Sequence, residues 1–167
     1  MSEKISLPLF DGASVELLSD TVAPPAADAL HRFMKLGQAD RLAVTPHIHA
    51  YYRDMHTHAD AARIDERMAT PAQPEDIWRH VRPLSITIKT RPVAAGTGGG
   101  SAPVVYVLLE AHCDWEDEHG LQLVWKEGNT LVKVGAFDDK PLHADHVPPG
   151  AIYHSSYDDT FSTFQAP

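Results

Sequence analysis

A single cysteine, Cys113, removes the intramolecular disulfide from the ways this chain can be held together and points to a reducing, cytoplasmic setting. Basic residues are also scarce: 14 Lys and Arg stand against 23 Asp and Glu, a formal net charge of −9 with histidine neutral. Such a field repels phosphate backbones and attracts basic surfaces, which excludes nucleic acid as a direct partner. No apolar run approaches the ~18 residues of a membrane span. The opening MSEKISLPLFDG lacks the charged region and apolar core of a signal peptide. The glycines of GTGGG at 96–100 are not followed by the Lys-Ser/Thr of a phosphate loop and lack dinucleotide-site spacing, so a mobile loop over Ala94–Ser101 is expected and no cofactor is implied.

What is present fits one globular α+β domain over residues 1–167: 43% of residues are hydrophobic and 22% charged. Asp11-Gly12 between two partly alternating segments predicts an N-terminal hairpin, with Pro8 at an edge or bulge. Pro24-Pro25 opens a helix within Thr21–Gly37 that carries Ala26, Leu30, Phe33 and Met34 on one face. Thr45-Pro46 reads as an N-cap and first helical position, starting a helix over Pro46–Ala59 with Ile48, Tyr51, Tyr52 and Met55 in one stripe. A break near Ala59–Ala62 follows, then a short helix over Pro74–Val81 burying Ile77 and Trp78. Leu84–Thr90 alternates as a strand.

The densest signal lies between Val104 and Asp139. Val104–Leu109 is apolar on both faces, as a central strand is. A two-residue Gly128-Asn129 loop sets Glu127 opposite Thr130, Trp125 opposite Val132 and Leu123 opposite Val134. The expected architecture is an antiparallel sheet of about four to six strands, the hairpin plus a C-terminal meander, with three or four helices on one face. Residues 140–167 read as an irregular extension with room for one short added strand.

Candidate chemistry is thin. In HIHAYYRDMHTH the two His-x-His pairs lie about 200° apart on a helix, so no single turn brings two imidazoles to one ion. Asp54 with His58 and His56 with Asp60 fit i,i+4 spacing and read as solvated ion pairs. His112 and Cys113 point to opposite faces of a strand, which makes Cys113 a buried structural thiol. His154, Ser155 and Ser156 lack the spacing of a nucleophile elbow. The acidic connection Asp114, Glu116, Asp117, Glu118 and His119 reads as an exposed hairpin connection, with Trp115 as an exposed aromatic anchor, and it lacks the pattern of a calcium loop.

At C-x-W-E-x-E-H-G-L, from Cys113 to Leu121 and followed by LVWKEGNTLVKVGAFDD, the chain resembles a family of uncharacterised bacterial proteins carrying a similar WxxEHGL hairpin. IWRHVRP and the tyrosine-rich helix extend the resemblance over Leu42–Asp139, and it implies no activity. In size and acidity the chain is similar to immunity proteins that block a toxin. The expected function is therefore a non-catalytic binding protein that meets a basic protein partner through Asp114, Trp115, Glu116, Asp117, Glu118 and His119. The alternative is a small metal-dependent hydrolase using His, Asp and Glu from 46–60 and 114–119. The oligomeric state is left open.

Overall fold

Where apolar and polar residues alternate the chain is extended, and the computed structural model, which describes residues 2–19, 23–92 and 103–166, gathers these stretches into one sheet of eight strands. The segment 94–101, read as a mobile loop, falls outside the described residues, as do Thr21 and Val22. In chain order the strands are β1 (Glu3–Leu7), β2 (Ala13–Leu17), β3 (Val81–Arg91), β4 (Val104–Cys113), β5 (Glu116–Lys126), β6 (Thr130–Gly135), β7 (Ala151–Tyr153) and β8 (Thr163–Phe164). They lie side by side in that same order. The expectation of four to six antiparallel strands is corrected on both counts, because β2 with β3 and β6 with β7 run parallel. Parallel neighbours need long crossovers, and these two follow the helical segment between β2 and β3 and the proline-rich segment between β6 and β7. The added strands β7 and β8 are too short to show a period in sequence.

The longer helices are α1 (Pro24–Phe33), α2 (Arg41–His58), α3 (Ala61–Arg67) and a 3-10 helix, Pro74–His80. Their apolar residues Ala29, Phe33, Ile48, Tyr51, Tyr52, Ile64 and Trp78 share one core with Val105, Val107, Leu109, Ala111 and Cys113 of β4. The alternate residues Tyr106 and Leu108 join Val124 on the opposite face, so β4 is the central strand its composition predicts. The break between α2 and α3 falls at Ala59-Asp60, where the Asp60 carboxylate accepts from the Arg63 amide and caps α3.

Three local readings change. Strand β1 stops at Leu7, because Pro8 opens a 3-10 turn instead of sitting in the ladder. Helix α2 begins at Arg41, a turn earlier than the Thr45-Pro46 reading. The Thr45 hydroxyl donates back to the Arg41 carbonyl at 2.7 Å and accepts from the Trp78 indole at 2.8 Å, so it is an interior residue of the helix and not its cap. The residue that Pro46 would have bonded, Leu42, is exposed, and water can satisfy its carbonyl.

The third change is the β5–β6 register. Leu123 faces Val134 and Val124 faces Lys133 as expected, but Trp125 faces Leu131 and Lys126 faces Thr130. Glu127 has left the ladder: it is left-handed (φ 54°), and its amide donates to the Val105 carbonyl at 2.7 Å. Its carboxylate takes the Val105 amide at 2.9 Å, and Arg32 of α1 donates to its carbonyl at 2.6 Å. The loop is thus Glu127-Gly128-Asn129, and a bulge at Val132 restores the register. Gly128 lies against α1 so closely that a Cβ there would sit 1.9 Å from the Ala29 carbonyl oxygen, at φ 84°.

The face opposite the helices is closed by the segment after β6. Gln122, wholly buried, accepts from the amides of Asp138 and Asp139 and donates to the Lys140 carbonyl. The nearly buried Lys133 ammonium meets both Asp138 oxygens at 2.7 and 2.8 Å and the carbonyls of Lys140 and Leu142. A buried charge is tolerated only when paired and hydrogen-bonded in this way. Gly128→Ala is expected to destabilise the domain by about 3 kcal/mol, read from urea unfolding, because it adds both a backbone clash and a left-handed penalty.

Candidate functional site

Tyr51 and Met55 of α2 and its C-cap Ala59 fall at four-residue spacing and so face one way, toward the start of β5 and the end of β6. Between them opens a cleft of about 410 Å³. Its other walls are Glu116, Glu118 and His119 on one side, Lys133 to Gly135 and Asp138 below, and His143, Tyr153, His154, Ser156 and Tyr157 from the C-terminal segment.

The acidic stretch is shaped by its own hydrogen bonds. Cys113 pairs with Glu116 and Ala111 with Leu121, so the turn is only Asp114-Trp115, and residues 117–120 loop out of the ladder. The Glu116 carboxylate ties that excursion by accepting from the amides of Glu118 (2.7 Å) and His119 (2.9 Å) and from the His119 ring at 3.1 Å. Gly120 closes it at φ 71°, under the Ala111 carbonyl, and the Tyr51 hydroxyl donates to its carbonyl at 3.0 Å.

Much of the expected exposed patch is therefore spoken for inside the molecule. Asp114 meets His80 at 2.9 Å and Arg82 at 2.8 Å. Burial opposes its ionisation, yet these donors prevail and hold its carboxyl below the usual range. Asp117 bridges Arg63 (2.9 Å) and Arg67 (2.5 Å), and the Arg67 hydrogen bond holds its pKa at about 2. Trp115 is 3% exposed and packs edge-on against Tyr51 and Tyr52, which overturns its reading as an exposed anchor. Its apolar ring fills the space over the tyrosine stripe, leaving the indole N–H buried without a partner among the described residues. Of the six expected contact residues, Glu116, Glu118 and His119 reach the cleft; Asp114, Trp115 and Asp117 do not. Glu118 and His119 are exposed there, and the Glu118 carboxylate has no ion-pair partner among the described residues.

The α2 histidines disperse as helical geometry predicts. His47 reaches Thr163, His49 lies against Tyr52, His56 pairs with Asp65, and His58 pairs with Asp54. The i,i+4 pair of His56 with Asp60 is thus replaced by Asp65 of α3, because Asp60 is used as a cap. The pair of Asp54 with His58 forms, but it is no solvated ion pair: Asp54 has no exposed surface, and its second oxygen takes the Tyr153 hydroxyl at 2.5 Å. Burial, and then the Asp54 contact, raise the pKa of Tyr153; burial likewise raises that of Tyr51, so both phenols are neutral donors.

Glu116, Glu118 and His119 offer oxygen and nitrogen atoms within 4.8 Å of one another, in a turn already closed by its own hydrogen bonds. Cys113 is the buried thiol its strand position predicts, with burial pushing its pKa up to about 12, while His112 on the other face is exposed. The Ser155 hydroxyl accepts the amides of Tyr157 and Asp158 and so builds a turn. Among the described residues, no helix is long and apolar enough to cross a membrane.

Residues 1–141 match a family described as Domain of unknown function (DUF6985). The chain belongs to that family. No curated protein and no solved structure matches it. The family region supplies α2, the looped-out acidic residues and Lys133 to Asp138, whereas His143, Tyr153, His154, Ser156 and Tyr157 lie beyond it. The cleft thus follows the seam between the family region and the segment after it. Sequence reasoning missed this second wall because GAIYHSSYDDTFSTF has no period and its residues reach the site only by strand addition.

Because the folded-state pKa values of Asp114 and Asp117 are depressed, their stabilisation is present above the ordinary value of 3.8 and is lost as pH falls through the folded values. Asp117→Asn is expected to unfold with a shallower loss of denaturation midpoint between about pH 4 and 2 than the parent chain.

Proposed function

We propose that this chain is a non-catalytic binding protein that receives a basic side chain of a protein partner at the mouth of the cleft, between Glu118 and Tyr157. The observation that carries this reading is the state of Glu118. Its neighbours Asp114 and Asp117 are paired with arginine and histidine, and Glu116 is tied up by backbone amides, while Glu118 stands exposed at the cleft. Tyr157, 56% exposed, borders the same cleft and offers an aromatic face to a guanidinium or ammonium group. A net charge of −9 steers a basic partner toward the surface, and the local pair supplies register. A toxin held by its immunity protein is one partnership of this kind.

The hydrolase alternative fits less well. It requires His and Asp of 46–60 to meet the acidic stretch, and Asp54 and His58 are instead engaged with Tyr153 and stacked on Tyr157.

The test uses tag-purified protein to recover a partner from the source lysate, then titrates the purified pair. Glu118→Lys is expected to weaken affinity by about 2 kcal/mol at low salt, a difference from the parent chain that narrows as salt rises, and Glu3→Lys on β1 serves as a charge-matched control. Equal loss in both variants, or none in Glu118→Lys, sinks the reading.

A further inference from the structure

The segment after residue 141 runs along the domain and adds β7 and β8 beside β6, and histidines supply much of its fastening. The His143 ring donates to the Ile152 carbonyl at 2.7 Å, holding the loop to β7. His47 of α2 contacts the Thr163 hydroxyl at 2.7 Å, and the same hydroxyl accepts the Tyr153 amide at 3.1 Å, holding β8 to both α2 and β7. His154 lies on the cleft wall with its ring 5.9 Å from that of His146. Backbone pairing is slight: one residue pair joins β6 to β7, and two join β7 to β8.

We propose that residues 142–164 form an acid-released strap whose two histidine fastenings, His47 and His143, let the cleft open when they are protonated. The balance of charge supports this direction. Burial opposes a charge on His143 most, and Lys133 and His154 add to that; the Ile152 carbonyl and Asp138 favour it, but Asp138 is already held by Lys133. Asp145 is exposed on the same loop. His47 is half-buried against neutral partners. Burial lowers the pKa of both His47 and His143 below the ordinary 6.5 while the strap is docked. Release restores the ordinary value, so the released state binds protons more tightly. Docking is intact above about pH 6.5 and weakens as pH falls through the docked-state values.

One further anchor is largely aromatic. His58 is held by Asp54, with Tyr157 stacked on it, Phe161 at its edge and Asp158 near enough to feel its charge. Arg53 lies over the far side of Phe161. This contact keeps the strap tethered at one point while the two histidine fastenings part around it.

The proposal deepens the binding reading and rests on it for its consequence, since the strap carries Tyr157 and one whole wall of the cleft. Strap release itself is measured without a partner, so the two readings fail separately. Hydrogen exchange with mass spectrometry, corrected for intrinsic rates, is followed from about pH 7.5 to 5.5. Peptides spanning 151–165 are expected to lose protection by about tenfold or more, while β4 and β5 keep theirs. The double variant His47→Gln/His143→Gln retains side-chain N–H donors without the titration, and its strap protection is expected to stay level. Constant or rising strap protection in the parent chain overturns the proposal. So does a loss shared with β4 and β5, or an undiminished response in the double variant. Should the double variant not fold, the parent series decides alone.

Discussion

Asp54 is a carboxylate with no exposed surface, and the chain has to bring donors to it. One comes from its own helix, His58, one turn on; the other, Tyr153, comes from 99 residues away. Leaving such a group without its partners costs several kcal/mol, so the helix layer and the C-terminal strands depend on one another. That requirement explains why a strand as short as β7, paired to β6 at a single residue, holds its place. It is pinned from the helix side as well as from the sheet.

The same economy of partners governs the charged surface. An acidic chain that read as offering a row of free carboxylates instead distributes its few arginines among them: Arg82 to Asp114, Arg63 and Arg67 to Asp117, Arg41 to Asp11. Exposed pairs of this kind contribute little to stability, but they decide where negative potential remains. What remains at the cleft is Glu118, set beside an exposed tyrosine and a wall of imidazoles.

The sheet was legible to the extent that alternation reports a half-buried ribbon. β4 as the central strand, Leu123 opposite Val134 and an inward Cys113 all follow from period-two patterning, which is local and needs no knowledge of the rest of the chain. The dispersal of the α2 histidines was legible for the same reason, since helical geometry alone keeps neighbouring imidazoles apart. Local signals misled where a distant group competes for a residue. Thr45 looks like a cap until Trp78 claims its hydroxyl; Glu127 looks like a ladder residue until Val105 and Arg32 hold it aside; Trp115 looks like a loop anchor until Tyr51 and Tyr52 receive it.

By itself, then, the sequence determined most of the longer elements and their inward faces, the α+β class and the net negative field, because propensity, periodicity and charge are properties of neighbours along the chain. Only the tertiary structure decided that β2 and β6 take parallel partners, that Asp114 and Asp117 are paired with arginines, and that residues after 141 close the cleft. Each of those outcomes turns on a contact between residues far apart in sequence, such as Asp54 with Tyr153, His47 with Thr163 and Arg67 with Asp117. Their formation depends on how the elements pack, and no local pattern encodes it.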